Sequence, residues 1–124
     1  GRPTMTIHRS ILIVEDEPLV AMLLVDFLEE LGYAVAAQAS SVEDGLARLK
    51  DTNFDVAILD VNLRGQPVWP IADTLQEQGR PFVLATGYDG NQTKGRYPQA
   101  GTLAKPYDLQ SLRQTLEARG PANS

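Results

Sequence analysis

The chain has 124 residues, a net charge of −5 and no cysteine, so it can form one domain with a single core and cannot form disulfides or thiolate metal sites. The acidic balance, without any basic run, argues against nucleic acid as a partner. No apolar stretch could span a bilayer, so we expect no membrane partner, and the absence of cysteine fits a reducing cytoplasm.

The amino terminus differs in character from the rest of the chain. The residues before Met5 look like the remnant of an expression tag, and we assign residues 1–9 to a tag remnant and N-terminal extension. Residues 10–119 are predicted to form one domain. Residues 120–124 are a tail too short to hold a second one.

The first predicted elements are a strand over residues 10–14 and a helix over residues 19–31. Pro18 suits the first turn of that helix, and Gly32 can end it because glycine adopts positive φ without cost. Large apolar residues recur at spacings of four along the helix and predict its buried face: Leu19, Leu23, Phe27 and Leu31.

The next elements alternate in the same way. A more polar run over residues 33–39 predicts an edge strand, and Ser40 with Glu43 resembles the capping box of a helix through Lys50. The run over residues 54–59 is apolar throughout, which places it at the centre of a sheet. The next elements are a loop over residues 61–66, a helix over residues 68–78 and a strand over residues 82–85. A weakly patterned region over residues 88–101 comes before a short strand over residues 102–104 and a last helix over residues 109–119, which Asp108 caps.

Five strands alternating with helices predict an α/β fold with a doubly wound, five-stranded parallel sheet. A helix is expected between the fourth and fifth strands, but residues 88–101 hold three glycines and a proline without a helical period. We therefore expect that fourth helix to be short or disordered.

Three apolar runs end in carboxylates or a lysine. Glu15 and Asp16 follow the first strand, Asp60 ends the third, and Lys105 follows the fifth. Ligands of open parallel sheets bind beyond the carboxyl ends of the strands, so these four side chains should converge. Each also has a purely structural interpretation, since Asp60 could start a turn, the Glu15–Asp16 pair could cap a helix and Lys105 could be a solvated surface lysine.

Convergent carboxylates without histidine or cysteine favour a hard cation, and Mg²⁺ fits best because it works with phosphate. Together with Lys105, such a site could stabilise a transferring phosphoryl group. Asp60 is the best candidate for a nucleophile that forms an aspartyl-phosphate. The hydroxyl of Thr86, at the end of the fourth strand, could contact a phosphoryl oxygen, and a cis Lys105–Pro106 peptide could aim the lysine at the acids.

Four segments in this order, each at a strand end, resemble the response-regulator receiver domain of bacterial two-component signalling. They are Ile-Leu-Ile-Val-Glu-Asp-Glu-Pro ending at Pro18, Asp-Val-Ala-Ile-Leu-Asp-Val-Asn-Leu ending at Leu63, Ala-Thr-Gly ending at Gly87, and Lys-Pro-Tyr ending at Tyr107. The resemblance implies a flavodoxin-like (βα)5 receiver fold over residues 10–119.

The resemblance also implies residue roles. Asp60 would accept a phosphoryl group from a histidine kinase or a histidine phosphotransfer protein. Glu15 and Asp16 would help Asp60 and the backbone carbonyl of Asn62 to hold Mg²⁺. Thr86 and Lys105 would contact the phosphate. The downstream protein partner stays unidentified, and dimerisation on phosphorylation is left open.

Two features qualify the resemblance. The segment Leu-Ala-Thr-Gly-Tyr ending at Tyr88 is similar to that of a subgroup of stand-alone receivers with Phe-Ala-Thr-Gly at this place. Many receivers carry an aromatic switch residue where this chain has Thr102, so Tyr88, Tyr107 or the region over residues 88–101 would have to transmit the signal. Two alternatives are a magnesium-dependent aspartyl-phosphate phosphohydrolase and a degenerate receiver that acts as a scaffold.

Overall fold

The computed structural model describes residues 9–87 and 95–119. Within them the chain forms a five-stranded sheet, a short hairpin and four helices. In chain order the elements are β1 (Ser10–Val14), α1 (Pro18–Glu30), β2 (Ala34–Ala39), α2 (Val42–Asp51), β3 (Val56–Asp60), β4 (Asn62–Leu63), β5 (Gln66–Pro67), α3 (Trp69–Glu77), β6 (Phe82–Thr86), β7 (Gly101–Ala104) and α4 (Leu109–Ala118).

The main sheet is wholly parallel, with the strand order β2-β1-β3-β6-β7. The predicted parallel sheet is therefore confirmed, with β3 at its centre and β2 at an edge. The chain runs outward from β1 to β2 and then returns to β3 on the other side of β1. This reversal opens a crevice at the carboxyl ends of β1 and β3, where such sheets bind ligands.

Both faces of the sheet are covered by helices, because successive side chains of a strand point to opposite faces. Ile11 and Ile13 of β1 belong to a core with residues of α1 and α4. Leu12 and Val14 belong to a second core with residues of α2 and α3. All five residues of β3 and all five of β6 are buried, as expected of strands covered on both faces.

The predicted buried face of α1 is wrong in its first half, whereas Phe27 and Leu31 are partly buried and pack against the core, as predicted. Ala21, Leu24 and Leu28 are its buried residues, whereas Leu19 is 78% exposed and Leu23 is 39% exposed. The helix is apolar on more than one side, so a spacing of four alone does not tell which stripe meets the sheet. One apolar stripe of α1 consequently faces solvent.

The helix boundaries follow local chemistry. Pro18 begins α1, and Gly32 follows it with φ 92°, as predicted. The predicted capping residue of α2 is wrong by one position, because Ser41, not Ser40, accepts a hydrogen bond from the backbone N–H of Asp44 at 3.0 Å. The predicted cap of α4 is confirmed: Asp108 accepts a hydrogen bond from the Ser111 N–H at 2.8 Å.

Two other regions differ from the simple pattern. The loop predicted over residues 61–66 contains an antiparallel hairpin, β4 with β5. Residues 95–100 form turns, and residues 88–94, the first half of the region predicted to hold the fourth helix, lie outside the described residues. So do residues 1–8 and 120–124. None of the helices in the described ranges is long and apolar enough to cross a membrane.

Candidate functional site

Three carboxylates meet in the crevice between β1 and β3. Glu15 and Asp16 directly follow β1, and Asp60 is the last residue of β3. One oxygen from each of the three lies within 4.8 Å of the other two. The acidic side chains that were predicted to converge from the strand ends are thus brought together by the fold.

Lys105 completes the cluster from the loop after β7. Its Nζ lies 3.3 Å from Asp60 Oδ2 and 3.4 Å from Glu15 Oε1, and its backbone N–H donates to the carbonyl of Thr86 at 2.8 Å. The Lys105–Pro106 peptide is cis, as predicted. Burial alone would lower the pKa of Lys105, but the charges of Asp60 and Glu15 outweigh it and raise that pKa.

Glu15 is the most deeply enclosed of the acids, with a side chain only 1% exposed. Burial is the main cause that raises the pKa of Glu15 to about 7. The Glu17 N–H, which donates to Glu15 Oε2 at 3.1 Å, acts in the opposite direction and lowers the pKa, whereas the charge of Asp60 raises it further. Tyr107 packs nearby in the core, and burial, followed by the charges of Glu15 and Asp60, raises its pKa. The inner end of the site therefore disfavours further negative charge.

The remaining predicted site residues line the same opening. Asp60 pairs with Ala85 across the sheet, so Thr86 lies one residue further along the neighbouring strand and is buried. The backbone N–H of Asn62 donates to Asp60 Oδ1 at 3.2 Å. Asp60, Asn62, Thr86 and Lys105 all line an open cavity of about 530 Å³, together with Asp16.

The residues present fit a divalent cation. Three carboxylates converge, whereas the side chain of Lys105 is the one cationic group that contacts them among the described residues. A cluster of that charge is relieved by protonation, as the raised pKa of Glu15 indicates, or by a cation. An all-oxygen ligand set suits Mg²⁺, which prefers carboxylates and retained water.

Sequence reasoning missed Arg64, which also lines the cavity. Its backbone N–H donates to Asp16 Oδ2 at 3.0 Å. Its φ is 51°, a left-handed backbone conformation that residues other than glycine rarely adopt. An Arg-Gly pair is a weaker hairpin signal than Asn-Gly, so the turn was not predicted. The available signal for a hairpin was the pair of short segments on either side of the turn, Asn62–Leu63 and Gln66–Pro67, each with one polar and one apolar residue.

Thr102, at the position of the missing aromatic, lies exposed on β7 beside the buried Leu103. Of the side chains proposed to replace that aromatic, Tyr107 is buried in the core shared with α1 and α4. Tyr88 lies outside the described residues. A buried aromatic that sequence reasoning did not single out, Tyr97, packs on the other core, against Phe82 and Trp69.

Fold and site together define a class: doubly wound α/β domains that gather carboxylates and a lysine at the carboxyl ends of a parallel sheet. The sequence matches the family described as "Response regulator receiver domain" over residues 11–117, and the chain belongs to that family. The resemblance drawn from the strand-end motifs is thereby confirmed, and the chain is a signalling domain of the two-component type.

The relatives agree with this assignment. The chain is 36% identical to the transcriptional activator protein IrlR of Burkholderia pseudomallei over 109 residues. This alignment covers 82% of the chain and 46% of IrlR. It spans about half the length of the curated relatives it matches, including the sensory transduction protein LytR of Staphylococcus haemolyticus, at 29% identity over 85% of the chain and 43% of LytR. Among solved structures, SdrG from Sphingomonas melonis Fr1 is 42% identical, with a TM-score of 0.80, over 92% of the chain and 98% of SdrG.

Proposed function

We propose that this chain is a phosphorylation-controlled switch in which Asp60 accepts a phosphoryl group and thereby changes a protein-docking surface. Residues 10–119 form the receiver unit. One observation carries the proposal: Asp60 ends the central strand inside an open cavity, with Lys105 Nζ at 3.3 Å and two further carboxylates within 4.8 Å. A nucleophile, a counter-charge and a set of oxygen ligands thus share one small volume.

The proposed step is an in-line displacement. An Asp60 carboxylate oxygen attacks the phosphorus and forms a P–O bond, while the P–N bond to a donor histidine breaks and the imidazole nitrogen keeps the electron pair. With an acyl phosphate as donor, the P–O bond to the acyl group breaks and a carboxylate leaves. Lys105, already beside Asp60 Oδ2, can pair with the phosphoryl oxygens that arrive there.

Mg²⁺ held by Glu15, Asp16, Asp60 and the backbone carbonyl of Asn62 would neutralise charge on the carboxylates and the phosphoryl oxygens. The hydroxyl of Thr86 can donate to a phosphoryl oxygen from the neighbouring strand end. Thr86 and Lys105 are already joined by a backbone hydrogen bond, so a shift of one is passed to the other. Lys105 in turn lies between β7 and α4, which makes that side of the domain the proposed output surface.

A relative supports the phosphoryl-binding part of the proposal. SdrG has also been solved in a "BeF3-activated conformation", and that structure is 42% identical to this chain with a TM-score of 0.77 over 92% of the chain. Beryllium fluoride has the shape and charge of a bound phosphoryl group. A relative of this similarity that has a BeF3-activated conformation supports the proposed phosphorylation of this chain.

The phosphodonor is proposed to be a histidine kinase or a histidine phosphotransfer protein in the cytoplasm. An apolar patch on α1, formed by Leu19, Met22 and Leu23, is exposed beside the site. Leu23 also lines a groove of about 460 Å³ that shares Gly87 and Lys105 with the phosphate cavity. A donor that covers this patch while its histidine reaches Asp60 would bury apolar surface next to the reacting group.

The domain is proposed to catalyse only its own phosphorylation and dephosphorylation. A phosphohydrolase that works through an aspartyl-phosphate uses a general acid near its nucleophile. Asn62, two residues after Asp60, holds no titratable proton. A scaffold that never accepts phosphate would have no need for the converged acids and Lys105.

The test is phosphorylation by acetyl phosphate with Mg²⁺, followed by intact mass. We expect one phosphoryl adduct that is stable in acid and released by hydroxylamine, as acyl phosphates are, and its loss in Asp60→Asn. Asp26→Asn is the matched control, since Asp26 is an exposed aspartate on α1. That variant should gain the same adduct as the wild type.

The outcomes separate the candidates. An adduct that persists in Asp60→Asn would overturn the assignment of the acceptor. Absence of any adduct in the wild type would favour the scaffold, and fast turnover of phosphomonoesters would favour the hydrolase. Size-exclusion chromatography of the phosphorylated wild type then reports whether it dimerises.

A further inference from the structure

The hairpin after Asp60 ends in an unusual turn. Its two strands pair Asn62 with Pro67 and Leu63 with Gln66, so Arg64 and Gly65 alone make the loop. Both have positive φ, 51° for Arg64 and 82° for Gly65, as in a type I′ turn. Such turns favour asparagine or glycine at the first position, because the Cβ of most other residues lies too close to the following carbonyl oxygen in the left-handed region, which costs free energy.

The turn is fixed over the site from three directions. Leu63 is buried in the core, and the Val68 N–H donates to the carbonyl of Val61 at 3.0 Å across the base of the hairpin. At the tip, the backbone N–H of Arg64 donates to Asp16 Oδ2 at 3.0 Å. The position of Arg64 at the rim of the cavity is therefore set by the core and by the acidic cluster together.

The guanidinium of Arg64 makes no ion pair among the described residues. Its side chain is exposed, and no carboxylate within residues 9–87 and 95–119 pairs with it, whereas Lys105 is shared between Asp60 and Glu15. The left-handed backbone at Arg64 is held by the hydrogen bond to Asp16, which any residue could make, so the fold does not explain why a cationic side chain stands at this position. The lining that Arg64 shares with Asp60 and Lys105 places that position at the entrance to the cavity.

We infer that the Arg64 guanidinium binds the phosphoryl oxygens of the donor as they enter the cavity. The inference rests on the proposed function and adds a binding residue to it. An anionic phosphoryl group must approach three carboxylates, which repel it, and a permanent positive charge at the rim reduces that repulsion. The guanidinium fork also matches the geometry of phosphoryl oxygens, which a lysine at the same position would match less well.

The experiment measures the rate of Asp60 phosphorylation against acetyl phosphate concentration at low ionic strength with saturating Mg²⁺. Arg64→Asn removes the charge and keeps a residue that the turn favours. We expect its second-order rate constant to fall about fivefold to tenfold, through weaker donor binding and not through a slower maximal rate. The deficit should shrink in high salt, where the charge of the wild type is screened.

Two further variants isolate the effect. Arg64→Lys keeps the charge but not the guanidinium fork, so its rate should fall between those of Arg64→Asn and the wild type. Arg113→Gln, which removes an exposed arginine from α4, should match the wild type at every salt concentration. Equal rates in Arg64→Asn and the wild type, or an equal loss in Arg113→Gln, would overturn the role of Arg64 while the acceptor role of Asp60 stands. A wild type that takes no phosphate would overturn both proposals.

Discussion

The hydroxyl of Tyr97 donates a hydrogen bond to the carboxylate of Asp73 at 2.6 Å. It ties the turn before β7 to α3. The ring of Tyr97 also meets Trp69 at 5.7 Å and Phe82 edge-on at the same distance. Burial raises the pKa of Tyr97, and so does the Asp73 carboxylate, which accepts the hydrogen bond from the Tyr97 hydroxyl.

Tyr97→Phe should lower the free energy of unfolding by about 1–2 kcal/mol, because it keeps the ring contacts and removes a hydrogen bond to a charged group. Urea unfolding, followed by the fluorescence of Trp69, the one tryptophan of the chain, measures the change. The control is Tyr33→Phe, since the Tyr33 hydroxyl makes no hydrogen bond within the described residues and its loss should cost less than about 0.5 kcal/mol. Equal stability of the two variants would show that the Asp73 bond contributes nothing measurable.

The pKa of Glu15 predicts a pH dependence of stability in metal-free protein. The folded state holds the Glu15 proton up to about pH 7, whereas an unperturbed carboxyl releases it near 4.5. The folded state therefore binds more protons than the unfolded state between these values, and stability falls as pH rises through that window. The contribution of Glu15 to this fall is on the order of 1–3 kcal/mol.

Glu15→Gln isolates that contribution. The free energy of unfolding of Glu15→Gln minus that of the wild type, both measured in EDTA, should be higher at pH 8 than at pH 5.5 by about 1–3 kcal/mol. The wild type loses stability over this range and the variant does not. The comparison between pH values removes any constant effect of the lost contact with Lys105. A difference that is the same at both pH values would mean that Glu15 titrates as an ordinary carboxyl.

The sequence predicted the central features because they depend on local patterns. Continuous apolar runs identified the buried strands, and the rule for parallel sheets predicted that Glu15, Asp60 and Lys105 meet at one edge. Features that depend on tertiary packing were not predicted. The stripe of α1 that meets the sheet, the Arg64–Gly65 turn and the Tyr97–Asp73 bond all depend on which neighbours a residue finds.

Mg²⁺ should stabilise the wild type by mass action, by about 2.7 kcal/mol at a hundredfold excess over its dissociation constant. Asp16→Asn should lose most of this stabilisation, because it removes one of the three converging carboxylates while an amide oxygen can still accept the Arg64 N–H. Thermal unfolding with Mg²⁺ or with EDTA measures the effect. Asp26→Asn should respond to Mg²⁺ as the wild type does, and an undiminished response in Asp16→Asn would remove Asp16 from the proposed ligands.

The apolar patch on α1 should affect phosphorylation by a protein donor but not phosphorylation by a small-molecule donor. Met22 is 62% exposed, so Met22→Ser should change stability by less than about 0.5 kcal/mol and leave phosphorylation by acetyl phosphate unchanged. Leu24, on the buried face of the same helix, gives the contrast, because Leu24→Ser should destabilise the fold by about 2–5 kcal/mol.

Transfer from a phosphorylated histidine kinase should instead slow at least tenfold in Met22→Ser, about 1.4 kcal/mol, since the donor loses apolar contact beside Asp60. The donor for this measurement is the kinase that phosphorylates the wild type fastest in a purified panel. Leu19→Ser, at the most exposed position of the patch, should behave in the same way. If both variants accept phosphate from that kinase at the wild-type rate, the donor docks elsewhere and the patch serves another partner.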